Sequence, residues 1–392
     1  MGAMSAGTAR ESGEAAEPDI LVLRGVRVGG VAHGGHCVAR VDGKVVFVRH
    51  ALPGELVDVA VTQDRSKFAR GDAVAVLEPS PDRRTPPCPA AGLCGGCDFL
   101  HATPAAARAL KGRVVAEQLR PRGAERWFDG TVGAATPDDL GWRVRMRYQA
   151  AADGRPGLRA HRSHEVVPLP DGGCRIAAPA IAEPARPGLA LLTADGSVWP
   201  ESTRLDALVR ERVARRDYLV RADGFWQAHL AAPALLTETM LEAVQPAPGE
   251  TAFDLYCGVG VFAGALAAAG CRVWGVEGNS AAAALAARNV PQATFAAGDV
   301  ARALRRLPER ADVIVLDPPR AGAGPAVLTA LCARRPRVVV YVSCDPAALS
   351  RDLAAVAACG YRVESVAAHD LFPGTHHVEC VAVIRPAGVH AH

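Results

Sequence analysis

Residues 251–260 read T-A-F-D-L-Y-C-G-V-G: an apolar run, a Gly-x-Gly turn, then an alanine-rich segment suited to a helix. Gly258 and Gly260 let the backbone pass close to a ligand, as the first turn of a nucleotide-binding α/β unit requires. The pattern repeats outward from there. Strands read at RVWGVE (272–277), ATFAAGD (293–299), ADVIVLDPP (311–319) and RVVVYVSC (337–344), with Ala-rich helical stretches between them. YRVESVAAHDL (361–371) and HVECVAVIRP (377–386) follow as two closing strands. Strand–helix alternation of this kind predicts an α/β fold, a Rossmann-like doubly wound and mainly parallel sheet with ligands at the carboxyl ends of its strands.

The chain has 392 residues, 49% of them hydrophobic, and a formal net charge of +3, so it has room for two or three globular domains and its total charge does not announce a nucleic-acid binder. Residues 1–18 are small and polar, which reads as a disordered tail and not as a signal peptide. No stretch reaches the roughly 18 apolar residues that span a bilayer. Eleven cysteines without a secretory signal argue for thiol or metal chemistry in a reducing compartment, so a cytoplasmic location is expected. Residues 19–80 show short alternating runs, with Asp42-Gly43 as a hairpin turn and Pro53-Gly54 as another, and predict a small OB-like β-barrel. Residues 81–225 are less regular and form a central domain; 226–387 form the α/β domain.

Acids close four successive strands of the α/β domain: Asp254, Glu277, Asp299 and Asp317. One such acid is usually a helix cap, but four in succession suggest a ligand site. Glu277, about 20 residues beyond the glycine turn, is placed to accept hydrogen bonds from ribose hydroxyls. A Gly-x-Gly turn with a ribose acid fits S-adenosylmethionine as well as a nicotinamide nucleotide. The element Asp317-Pro318-Pro319-Arg320 separates them, because it resembles methyltransferase motif IV.

Cys88, Cys94 and Cys97 lie close together in CPAAGLCGGC, and Cys174 stands apart. Four thiolates can hold a zinc ion or a [4Fe-4S] cluster. A zinc ribbon repeats its close pair; three local ligands plus one distant one favour the cluster. In GWRVRMRYQ (141–149), Arg143, Arg145 and Arg147 alternate with Val144, Met146 and Tyr148, so a strand carries the guanidinium groups on one face. Between Gly141 and Arg162 there are six Arg and one acid, Asp153, a local positive stripe suited to RNA phosphates and unpaired bases.

Cys344 ends the fifth strand, with Asp345 placed as an N-cap and Pro346 in the first helical turn. A thiol there should have its thiolate favoured by the helix dipole and its pKa lowered. A thiolate beside S-adenosylmethionine has a specific use: addition to C6 of a pyrimidine makes C5 nucleophilic enough to accept a methyl group. A base must then remove the C5 proton. Glu379 is the leading candidate for that base, with His376 and His377 as rivals.

With these elements the chain resembles the RNA (uracil-5-)-methyltransferases that carry an N-terminal TRAM domain and an iron–sulfur cluster. The resemblance runs from about Ile20 to Arg385 and rests on VDGKVVFV…LPGE, the four cysteines, FWQ, DLYCGVG, LDPPR, SCDP…LSRDL and HVE. It implies Cys344 as nucleophile and Glu379 as base, with Cys88, Cys94, Cys97 and Cys174 as cluster ligands. It also implies S-adenosylmethionine contacts at Gln227, Tyr256, Glu277, Asp299 and Asp317, beside the glycines Gly258 and Gly260. The target uridine would be flipped out of its stack. The expected partner is RNA, with 23S rRNA first and the T-loop of tRNA second, and the expected state is a monomer with no membrane association. Val261, Trp226 and His229 depart from the family pattern near the cofactor and the flipped base. RNA cytosine-5 methyltransferases place a cysteine in motif IV, which is absent here. Amino-group methyltransferases leave Cys344 and Glu379 without a role, and so does a non-catalytic iron–sulfur RNA-binding protein.

Overall fold

The computed structural model describes residues 21–199 and 206–387, so the tail expected at residues 1–18 lies outside the described residues. Two compact units are present: residues 21–30 with 37–79, and 31–36 with the rest of the described chain.

The first unit is built on β1 (Val22–Arg27), β3 (His36–Val41), β4 (Lys44–Arg49), β5 (Leu56–Asp64) and β6 (Phe68–Glu78), the two-residue β2 (Val31–Ala32) falling in the second. The β3–β4 hairpin turns at Asp42-Gly43 with φ of 49° and 80°, the pair of positive values that a tight hairpin turn needs. β1 pairs with β5, β5 with β6 and β6 in parallel with β4. With β1 at the edge of this ladder the strands form a mixed sheet, and among the described residues no pairing closes it into the OB-like β-barrel expected. Three register shifts along β5–β6 bend that long pair.

In the second unit the expected strands all form. They are β15 (Thr251–Leu255), β16 (Arg272–Glu277), β17 (Thr294–Ala297), β18 (Val313–Leu316), β19 (Val338–Ser343), β20 (Tyr361–Asp370) and β21 (Glu379–Pro386). The sheet order is β17-β16-β15-β18-β19-β21-β20, extended by the two-residue β7 (Gly133–Ala134). β15 to β19 are parallel, and β21 inserts antiparallel between β19 and β20.

Alternation sorts the central strands between two cores. Phe253, Leu255, Ile314, Leu316, Val339 and Tyr341 join the core beneath α1 (Pro104–Leu119), α6 (Pro325–Cys332) and α7 (Pro346–Ala358). Ala252, Val313, Val315, Val338, Val340 and Val342 join the core beneath α2 (Ala232–Val244) and α3 (Val261–Ala268). Both faces of the sheet are thus covered, which is why these strands read as continuous apolar runs.

The central segment supplies α1 and a five-stranded antiparallel sheet that includes β8 (Arg145–Ala150) and β11 (Gly188–Leu192). Its hairpin is β13 (Leu208–Val213) with β14 (Arg216–Arg221). In β8 the alternation is as expected: Met146 and Tyr148 are buried and Arg147 is exposed. Arg145, however, faces Glu211 at 3.4 Å and donates to the carbonyls of Ala222 and Gly224, so one member of the stripe is used within the fold. No helix among the described residues is long and apolar enough to cross a membrane.

Candidate active site

One cavity of about 1140 Å³ opens at the carboxyl ends of β15, β16, β18 and β19, where a parallel sheet presents its ligands. Every expected catalytic and cofactor residue except Gly260 lines it: Cys344, Glu379, Gln227, Tyr256, Gly258, Glu277, Asp299 and Asp317. Gly260, at φ 89°, precedes α3, where a Cβ would press on Ala286 and Phe295 at 3.3–3.4 Å. Tyr256 holds φ 60°, a strained conformation for a non-glycine residue, on the loop that borders the cavity.

The four acids divide by role. Glu277 Oε2 accepts the Gly258 N–H at 2.9 Å and Oε1 the Asn279 N–H at 2.7 Å. It braces both neighbouring turns, and a carboxylate keeps further acceptor sites for a ligand. Asp299 is an N-cap, taking the Arg302 N–H at 3.0 Å. Asp254 does not line the cavity: it is buried under α3 and accepts the Ala263 N–H at 2.8 Å, and burial raises its carboxyl to about 8. Capping therefore explains more of the strand-end pattern than the sequence suggested. Asp317 borders the cavity, and burial raises it to about 7.

Cys344 is half-buried between β19 and α7, and Asp345 caps that helix through the Ala348 N–H at 2.8 Å. The expected lowering of the thiol pKa is wrong. Burial first, then the charges of Glu379, Asp317 and Asp345, push it up to about 11, with Arg320 pulling the other way. Burial of the sulfur, with the neighbouring acids adding to it, outweighs one helix dipole, which is worth only about 0.3–1 kcal/mol at a typical site.

Glu379 opens β21 and is 4% exposed. Its Oε1 is buried without a hydrogen-bond partner among the described residues. Burial holds its carboxyl well above the usual range; Asp317 adds to this and Arg320 opposes it. The rival histidines are occupied otherwise. His376 faces Asp98, Nδ1 to Oδ2 at 2.6 Å. His377 lines the cavity, but burial keeps it neutral, with a pKa lowered to about 3, and Arg320 lies 3.2 Å from its Nε2.

Arg320 and Phe372 also line the cavity. Arg320 was legible within DPPR but was given no role; nothing local marked Phe372. The loop after Arg320 is fixed by Asp352 of α7, which accepts the Tyr341 O–H at 2.6 Å and the Ala323 N–H at 2.7 Å. Of the departures, Trp226 and Val261 line the cavity, whereas His229 is buried and stacks on Trp142 at 5.4 Å.

Cys88, Cys94, Cys97 and Cys174, separated by up to 86 positions, line a second, smaller cavity walled by Leu158 and Ile176. The Gly96 N–H lies 3.4 Å from Cys94 Sγ. No group of three or more His, Cys, Asp or Glu among the described residues is arranged so that it could hold a metal ion.

Comparison with known proteins adds to this geometry. The TRAM domain model matches residues 24–74, and the tRNA (Uracil-5-)-methyltransferase model matches residues 302–386. An "Uncharacterized RNA methyltransferase" of Streptomyces avermitilis is 42% identical over 92% of this chain and 98% of its own length. The 23S rRNA (uracil(1939)-C(5))-methyltransferase of Halomonas elongata is 34% identical over 91% of this chain and 88% of its own. In fold, the chain is similar to the Pyrococcus abyssi tRNA (uracil-54, C5)-methyltransferase solved with S-adenosyl-L-homocysteine. The TM-score is 0.70 at 23% identity, over 92% of this chain and 99% of that one. With a TRAM domain ahead of an S-adenosylmethionine-dependent methyltransferase fold, the chain belongs to the RNA (uracil-5-)-methyltransferase family.

Proposed function

We propose that the protein methylates C5 of a uridine in 23S rRNA, through covalent addition of Cys344 to C6 and removal of the C5 proton by Glu379. The observation that carries this reading is the convergence of Cys344 and a buried, unpartnered Glu379 on one cavity that Glu277, Asp299 and Asp317 also line. Its volume, about 1140 Å³, exceeds the roughly 300–1,000 Å³ of a usual small-ligand pocket, leaving room for cofactor and flipped base together. The relative of Halomonas elongata favours 23S rRNA over tRNA.

Gln227, Tyr256, Glu277, Asp299 and Asp317 would hold S-adenosylmethionine, with Gly258 and Gly260 shaping the turn. When bound, that cofactor supplies the electrophilic methyl group that C5 accepts. The Cys344 thiol releases its proton to solvent as the sulfur bonds to C6 and the C5–C6 π electrons move toward the O4 carbonyl. After methylation Glu379 takes the C5 proton; the C5–H electrons restore the double bond and the C6–S bond breaks. A resting thiol near 11 must lose its proton as the adduct forms, and burial holds the Glu379 carboxyl above its usual range.

Cys88, Cys94, Cys97 and Cys174 would hold a [4Fe-4S] cluster. Their shared apolar-walled cavity and the Gly96 N–H near Cys94 Sγ suit thiolate ligation. We read residues 19–80, 81–225 and 226–387 as RNA-binding, cluster and catalytic domains of a cytoplasmic monomer.

The test is nucleoside mass spectrometry of in-vitro-transcribed 23S rRNA and tRNA after incubation with the enzyme and S-adenosylmethionine. 5-Methyluridine in the rRNA alone is expected. Its appearance in tRNA alone selects the second substrate, and 5-methylcytidine overturns the reading. A brown protein with broad visible absorbance is expected from the cluster; a colourless zinc protein refutes it.

A further inference from the structure

A feature outside the cavity bears on how the base is held. Segment 98–99 and segment 374–376, nearly 280 positions apart, are joined by four hydrogen bonds. The N–H groups of Asp98 and Phe99 both donate to the Gly374 carbonyl at 2.9 Å. Asp98 Oδ2 in return faces the His376 N–H at 3.0 Å and the His376 ring Nδ1 at 2.6 Å. Gly374 has φ 75°, and a Cβ there would sit 2.8 Å from the Leu100 side chain, so glycine lets the two segments meet.

We propose that Asp98 is a positioning residue for proton abstraction, holding the segment that carries His377 and Glu379 in register with Cys344. The His376 ring meets the His377 ring at a tilt, with centroids 4.0 Å apart, and His377 in turn meets Arg320 and Phe372 at the cavity wall. Glu379 follows two residues later, and with Oε1 unbonded its own side chain has little to fix it. Its aim depends on the backbone that delivers it, which the pairing of β21 with β20 holds at Glu379 and the Asp98 brace holds on the N-terminal side. Asp98 directly follows Cys97, so the brace also ties the cysteine loop to the base.

The proposal rests on Glu379 as the base, and the two can fail separately. Wild type, Asp98→Ala, Asp98→Asn and Glu379→Gln are mixed with S-adenosylmethionine and either ordinary or 5-fluorouridine-containing 23S rRNA transcript. Covalent protein–RNA is followed in time on denaturing gels. With ordinary RNA, Asp98→Ala should accumulate methylated adduct, because a misaimed base slows elimination about 10- to 100-fold. With 5-fluorouridine RNA, which needs no such base, its rate of adduct formation should stay within about threefold of wild type. Asp98→Asn keeps an acceptor for the His376 amide and should recover part of the elimination rate. Equal loss in both assays, or no change in either, overturns the positioning role. If Glu379→Gln itself accumulates no adduct, the base assignment falls instead.

Discussion

Cys344 sits in surroundings that favour the neutral thiol, and burial raises the Glu379 carboxyl as well. For the thiol this fixes a pH dependence. Below about 11 the thiolate fraction of the free enzyme rises with pH, so the rate of adduct formation on 5-fluorouridine RNA should climb about tenfold per unit from pH 7 toward 10. A flat profile would mean that the thiol is already ionised. Arg320 opposes the carboxylates at both groups, so Arg320→Ala should slow adduct formation and displace that profile to higher pH. Glu277 braces two turns and faces the cavity; Glu277→Ala should weaken S-adenosylhomocysteine binding by about 1–3 kcal/mol, read by calorimetry.

At the scale of elements, α1 is tied to the catalytic sheet by a buried ion pair. Lys111 Nζ lies 2.6 Å from Asp370 Oδ1 at the end of β20 and 3.0 Å from the Phe372 carbonyl. The Lys111 side chain has no exposure. Lys111→Met leaves Asp370 buried without its partner and should cost about 3–5 kcal/mol in urea unfolding. The double variant with Asp370→Asn should recover part of that cost, which separates the pair from simple packing. None of this was legible in the sequence. The order, period and glycine turns of β15 to β19 were legible, because each strand is buried on both faces and announces itself as an apolar run. Lys111 with Asp370, and Asp98 with His376, meet across more than 250 positions, and no local pattern reports such contacts. The pKa expectation for Cys344 failed because burial of the thiol, and then Glu379 and Asp317 from other strands, outweigh the helix terminus that the local sequence shows.

At the scale of the molecule, the positive stripe divides between fold and RNA. Arg147 is exposed, whereas Arg145 is committed to Glu211 and two carbonyls. Arg147→Ala should weaken rRNA binding and lower the salt dependence of log K by about one unit, as expected for one lost phosphate contact. Arg145→Ala should instead appear as lost stability. Everything proposed for the catalytic cavity turns on attack of Cys344 on C6 of a uracil in 23S rRNA. Its most direct test is to mix the enzyme with S-adenosylmethionine and a 5-fluorouridine-containing 23S rRNA transcript, digest the denaturant-stable product, and sequence the RNA-linked peptide by mass spectrometry. The modified residue should be Cys344, with one methyl group on the attached base and no adduct from Cys344→Ala. Linkage through another residue, or an adduct that persists in Cys344→Ala, contradicts it.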